Sequence, residues 1–257
     1  MSEARNMFWK SRLRASGIHL CISLGVAVLA ALLVFLVWYP YPYREISGGR
    51  DLFFILVSVD VVLGPLITLT VFNPTKPRRE LVRDLSIVGL IQLSALGYGL
   101  WTVFEARPVH LAFEIDRFRV VHAIDVEPEM LAKAPEGLRS LPLFGQTPVA
   151  VRPFRDAREK YEATVAALQG VQMGFRPDLW QPYADARMRV LLAASPLARL
   201  RQRFPDKTGL IDEAIAQTGK AEASLVSMPM VGRDKFWTVL LDSSTAEVVG
   251  FIPLDSF

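Results

Sequence analysis

Three stretches of about twenty residues carry almost no charge, and they constrain the fold more than any other feature of the chain. Residues 17–39 hold no Asp, Glu, Lys or Arg, and His19 is the one group there that titrates near neutral pH. Residues 52–72 hold one charged residue, Asp60, and residues 85–104 hold none. Each run matches the ~20 residues that cross a ~30 Å hydrocarbon core at 1.5 Å per residue. A helix satisfies its own backbone polar groups in lipid, which an irregular segment cannot do. The pattern predicts three transmembrane helices at about 17–39, 52–72 and 85–104.

A cleaved signal peptide is the competing explanation for the first run, because Arg5, Lys10, Arg12 and Arg14 precede it. The apolar segment is too long for one, and no small-x-small cleavage site follows. The aromatic run Trp38-Tyr39-Pro40-Tyr41-Pro42-Tyr43 comes instead, as expected of a headgroup-level belt. Orientation follows from the flanks. The N-terminal residues 1–16 and the loop 73–84, with Lys76, Arg78, Arg79 and Arg83, are basic; the loop 40–51 balances Arg44 and Arg50 against Glu45 and Asp51. The positive-inside bias places residues 1–16 in the cytoplasm and residues 105–257 on the exported, periplasmic side.

Charge splits along the same line. Residues 1–104 hold ten basic and six acidic side chains, and residues 105–257 hold nineteen and twenty. The overall net charge of +3 is therefore topological, and the exported part lacks the bulk charge of a nucleic-acid binder. Cys21, the single cysteine, excludes an intrachain disulfide framework and any CxxC site.

The exported part is long enough for a core of its own. Residues 109–114 and 117–124 alternate around Asp116-Arg117 and predict a hairpin; residues 147–154 predict another strand. Asp156 with Glu159 forms a capping-box pattern for a helix that Gly170 ends, with Tyr161, Val165 and Leu168 as its apolar stripe. A helix is expected over about 182–194, one from the cap Ser195 with Pro196 at its first position, and one over about 208–218. Residues 135–148 form a Pro/Gly-bearing loop. Strands return at 224–231, 236–241 and 247–252. Strands, then helices, then strands predict an α+β domain after the three helices.

No catalytic signature is present: HExxH, GxSxG, GxxxxGK[ST] and GxGxxG are all missing. His110 and His122 lie on the hairpin and raise the question of a two-histidine metal site. No carboxylate or cysteine stands at ligand spacing, so polar residues on a strand face are the preferred explanation. Glu114 and Asp116 form a nominal carboxylate pair of the kind hairpin turns routinely carry. No catalytic residue, metal or cofactor is assigned.

Asp60 is the most informative residue. A carboxylate at mid-membrane costs about 3 kcal/mol or more on insertion scales. It is expected to face other helices, with Gln92 and Ser94 of the third span at similar depth and Ser58 nearby. Gly64-Pro65 follows four residues on, and proline there removes a backbone donor and kinks the helix. Asp60, Gly64, Pro65, Gln92 and Ser94 are thus the candidate contact site for a partner helix; the alternatives are a proton site and a structural hydrogen bond within the bundle. One acidic group is too few for intramembrane acid–base chemistry. Small residues at intervals of four (Ser23, Ala27 and Ala31; Ala95 and Gly99) mark close-packing seams.

Several segments together resemble the TfpX/TfpZ family of type IV pilin accessory proteins: Gly17-Ile18-His19-Leu20, Val37-Trp38-Tyr39-Pro40, residues 57–73 (VSVDVVLGPLITLTVFN), residues 84–106, residues 109–118 (VHLAFEIDRF) and residues 250–257 (GFIPLDSF). The likeness is close over residues 17–121. It implies an inner-membrane protein of a Gram-negative bacterium that assists piliation without catalysis, as an accessory protein or chaperone for a type IV pilin. The bilayer, the pilin and other pilus-assembly proteins are then its expected partners. A pilin-modifying transferase would need a donor site that the sequence does not offer. A sensor would need a cytoplasmic output module, and the cytosolic segments are only a tail and a short loop.

Overall fold

A computed structural model describes residues 2–257. Met1 and the side chain of Arg5, in the basic N-terminal stretch, lie outside the described residues. The chain forms two compact units: Gly49–Glu105 with the chain up to Pro40, and Tyr41–Gly48 with Ala106–Phe257.

The first unit is helical. Helix α1 (Ser2–Leu32) runs unbroken past Gly17 and widens into a π-helical turn, Leu33–Trp38, closed by the Tyr39 amide donating to the Val34 carbonyl at 2.7 Å. After Pro40 comes a single-turn helix, α2 (Tyr43–Ile46), which belongs to the second unit. The second long helix is composite: α3 (Gly49–Ser58), a π-helical stretch Val59–Leu63, and α4 (Gly64–Val71). Pro65 has no amide hydrogen for the carbonyl one turn back, and the helix loosens where that donor is missing. Helix α5 (Arg78–Glu105) begins just after Pro77. Three helical stretches, Asn6–Trp38, Gly49–Val71 and Arg78–Glu105, are long and apolar enough to cross a membrane.

Leu29, Leu36, Ile55, Leu90 and Leu93 point outward and are exposed, as a lipid-covered surface requires. Ala30, Val34, Phe53 and Val103 pack inside. Of the expected small-residue seams, Gly99 lies against the Leu56 side chain, whereas Ala95 is exposed. The aromatic run does not form one belt. Trp38 meets the Phe104 ring at 5.2 Å, but Tyr39 is fully buried and donates its hydroxyl to the Val103 carbonyl at 3.1 Å. Tyr41 lies 5.8 Å from the Trp237 ring, and Tyr43 is buried in the second unit. Tyr39 and Tyr43 thus bury their rings in protein, whereas Tyr41 stays 48% exposed.

The second unit is an eight-stranded mixed sheet with helices on it. In chain order it contains β1 (Pro108–Phe113), β2 (Phe118–His122), a 3₁₀ turn Ala123–Asp125, α6 (Pro128–Leu131), β3 (Thr147–Val151), α7 (Ala157–Leu168) and β4 (Trp180–Pro182). It continues with α8 (Arg187–Ala193), β5 (Ser195–Pro196), α9 (Leu197–Arg203), α10 (Thr208–Thr218), β6 (Leu225–Val231), β7 (Phe236–Asp242) and β8 (Val248–Ile252). The strand order is β4-β3-β1-β2-β6-β7-β8, with β5 also paired to β6. The β1–β3 and β2–β6 pairs are parallel and the others antiparallel. Three candidate membrane helices followed by an α+β domain is the architecture expected from the sequence.

Alternation places Leu111, Phe113, Val239 and Leu241 in one core with Tyr43 and Ile46. Ala112 joins Val109, Val149 and Trp180, and Leu240 joins Ile211 and Ile252, in the others. Because Tyr43 and Ile46 complete this core, Tyr41–Gly48 and Ala106–Phe257 must lie on one side of any bilayer the helices cross.

Two local expectations are corrected. The stripe Tyr161, Val165, Leu168 does not face the core: Tyr161 and Leu168 are exposed, and Ala163 is the residue packed against Val151 and Leu179. The helix sits too close to the sheet for a large side chain. Ser195 is not a helix cap either. Ser195 and Pro196 pair with Ser227 and Val226 as β5, and α9 starts at Leu197. Asp156 does cap α7, accepting from the Glu159 amide at 2.8 Å, but the Glu159 carboxylate turns to Arg152 and the Arg155 amide.

Candidate functional site

The site is built on a polar stripe along α1. Arg12, Ser16, His19 and Ser23 follow one another at intervals of four, three and four, so they share one helix face. That face meets α4. Arg12 donates to the Thr70 carbonyl, Ser16 donates to the Pro65 carbonyl at 2.9 Å, and the His19 Nδ1 stands 2.5 Å from the Thr68 hydroxyl. These bonds, and none from Asp60, join the first two helices among the described residues. Proline contributes twice here: its missing donor loosens the preceding turn, and its own carbonyl receives Ser16.

Above this contact the helices part around a cavity of about 230 Å³. Its wall is mostly aliphatic, with Val26, Ala27, Val57 and Leu96. Four polar side chains enter it: His19, Ser23, Asp60 and Gln92. Asp60 and Gln92 line it without a hydrogen bond to a described residue. Ile22 and Leu93, both exposed, form its rim, so the cavity opens on the outer surface of the helices. A second recess, sharing His19, Ile22 and Gly89, continues toward Thr68 and Leu85.

The structure brings four of the five candidate residues together. Asp60 and Gln92 line the cavity. Gly64 faces the Gln92 amide so closely that a Cβ there would overlap it, and the same Cβ would stand 3.2 Å from His19 Nε2. Pro65 is buried one residue on. Ser94 lies exposed and apart from the cavity, and Ser58 bonds back to its own helix through the Ile55 carbonyl at 2.9 Å. His19 joins the site without having been a candidate. The 12/16/19/23 spacing was the signal that would have found it.

The candidates in the second unit separate. His110 Nδ1 is 2.7 Å from the Thr147 hydroxyl, with its ring 4.8 Å from Trp180. His122 Nδ1 is 3.0 Å from Asp125. Register places His122 opposite Pro108 and His110 opposite Val121, so the two rings occupy different environments. Burial pushes the His110 imidazole down to about 4 despite its bond to Thr147, so it is neutral near pH 7. Among the described residues no group of three His, Cys, Asp or Glu stands together as a metal site would need. Glu114 and Asp116 do not act as a pair. Glu114 is buried, 2.8 Å from Arg119 and 3.0 Å from the Gly174 amide, and Asp116 pairs with Arg117 at 2.8 Å.

Comparison with known proteins gives a consistent result. Residues 7–48 match the family "Fimbrial assembly protein FimB". The chain is 37% identical over 251 residues, 95% of each chain, to the fimbrial assembly protein of serogroup I from Dichelobacter nodosus. It is 36% identical, over the same share, to that of serogroup E1. To the protein of serogroups C1 and C2 it is 44% identical over 121 residues, 47% of this chain and 92% of that one. No solved structure matches the chain.

Proposed function

Because this chain belongs to the family of fimbrial assembly proteins, we propose that it acts in fimbrial assembly as a non-catalytic inner-membrane accessory protein or chaperone of the TfpX/TfpZ kind, serving a type IV pilin. The observation that carries this reading is the intramembrane cavity. It gathers an imidazole, a carboxylate and an amide into an aliphatic wall, and leaves Asp60 and Gln92 without partners among the described residues. Unpaired polar groups in lipid are costly, so such a recess favours a guest that brings polar atoms on an otherwise apolar helix. A pilin awaiting assembly is such a guest: a membrane-inserted helix with an exported head. In this scheme the N-terminus is cytoplasmic and the sheet domain periplasmic, where it meets the head.

Site-specific photocrosslinking tests this. A photoreactive residue at Leu93, on the cavity rim, is expected to capture pilin in piliated cells. Asp60→Asn and Asp60→Leu are expected to reduce both that adduct and surface pili. Adducts with lipid and with the protein itself alone, or full piliation in both Asp60 variants, would overturn the assignment.

A further inference from the structure

One end of the sheet domain carries the start of β1, the first strand after α5. Strand β1 begins at Pro108, three residues along the chain from the end of α5 at Glu105. Strand β2 is antiparallel to β1 and therefore finishes there, at His122, followed by the turn Ala123–Asp125. Strand β3 is parallel to β1 and starts there, at Thr147. Strand β6 is parallel to β2 and runs toward this end, with Val231 level with Arg119. The next turn, residues 232–235, holds Tyr41–Gly48, with the Arg233 amide donating to the Ile46 carbonyl at 3.0 Å.

This end carries the loop before β3. Leu138 and Leu141 turn inward onto the core around Val109 and Val126. Arg107 donates to the Pro142 carbonyl at 3.1 Å, and Gln146 donates to the Pro108 carbonyl at 3.2 Å. Both ends of the loop are thus pinned to the first residues after α5. Its tip does the opposite: Leu143 is 58% exposed and Phe144 71% exposed. A loop pinned to the first residues after an apolar helix thus holds two large apolar side chains outward.

We infer that Leu143 and Phe144 form an interfacial anchor that inserts into the headgroup–acyl boundary of the bilayer crossed by the three helices. Ile124, 61% exposed in the turn after β2, lies at the same end and extends the footprint. The contact is apolar in origin. Residues 123–146 hold four acidic and two basic side chains, which gives no attraction to anionic headgroups. The inference rests on the helices spanning a bilayer and does not depend on the pilin assignment.

The test uses the full chain with Cys21→Ser and Leu143→Cys, labelled with an environment-sensitive fluorophore and reconstituted into phosphatidylcholine vesicles. Ile115→Cys is the internal control: it is 64% exposed in the turn at the other end of β1, about 20 Å away along the strand. Lipid carrying a doxyl quencher high on its acyl chain is expected to quench the Leu143 label several-fold more than the Ile115 label. Adding Phe144→Asp is expected to abolish most of that difference while leaving the Ile115 label unchanged. The proposal fails if the two labels are equally wet. It fails equally if the Leu143 label is dry but insensitive to doxyl lipid, because protein then covers the loop. A requirement for phosphatidylglycerol would overturn its apolar basis.

Discussion

Gly64 and Gln92 meet because one carbon is absent: a Cβ on Gly64 would overlap the Gln92 amide nitrogen. The group in the way is the far end of a flexible side chain, so Gly64→Ala is expected to swing Gln92 out of its position without unfolding the helices. Alanine also favours helix over glycine by about 1 kcal/mol, which offsets the steric cost. The expected outcome is an unchanged or slightly raised thermal midpoint in detergent, with loss of the Leu93 crosslink. A midpoint lowered as in a core-disrupting variant would show that Gly64 serves packing alone.

Gly89 offers the converse experiment. It lines the cavity, and a Cβ there would meet nothing within 4 Å. Gly89→Leu is therefore expected to fill the recess with little strain. Piliation and pilin capture should fall while protein level and melting stay at the parental value. Undiminished capture would place the guest elsewhere.

Gly232 touches Ile46 through both its side chain and its carbonyl oxygen, and a backbone atom cannot swing aside. Gly232→Ala is expected to force Tyr41–Gly48 off the sheet. Ile46→Ala, at a site only 1% exposed, should cost about 2–5 kcal/mol through the cavity it leaves. Protease sensitivity near residue 46 and the unfolding midpoint of the full chain measure both effects.

Glu114 and Arg119 form a mostly buried pair, 3% and 14% exposed at their side chains. Removing one partner strands the other charge. Glu114→Gln is expected to destabilise the sheet domain by about 3 kcal/mol, whereas Glu114→Leu with Arg119→Met should recover most of that loss. Denaturant midpoints of the two variants check the difference.

His110 is held neutral by burial, with its imidazole at about 4 against an ordinary 6.5. The unfolded chain therefore binds the proton first as pH falls. The stability from this site is full above about 6.5, is lost between 6.5 and 4, and changes no further below, about 3 kcal/mol in all. Glu159, held down at about 2 by Arg152, loses its contribution only below about 4.5. Comparing the parent with His110→Gln isolates the upper window: the variant should show a flatter dependence of melting on pH between 6.5 and 4.5.

Charge-free length exposed the three helices, because lipid imposes a simple rule on composition. Period-two alternation likewise exposed β1, β2, β6, β7 and β8. Close packing was harder to read. In α7 the residue that faces the sheet is Ala163, while the conspicuous Tyr161 and Leu168 point outward; hydrophobicity ranks size, and a tight interface selects against it. At Ser195 a capping pattern lost to two ladder pairings with β6, a long-range partner invisible to local rules. In the cavity, Asp60 announced itself by its cost in lipid. His19 was overlooked because its position near the start of the apolar run suggested a helix end, although α1 continues well before it.

The Tyr41–Gly48 segment sets an order for biogenesis. Its Tyr43 and Ile46 leave the ribosome before the second helix, yet β6 and β7, which share their core, are among the last strands made. This short stretch stays without those partners until translation nears its end. A soluble piece begun at Ala106 would lack that plug and would expose the apolar hollow it fills, so a crystallographer wanting the sheet alone should graft residues 41–48 back onto it.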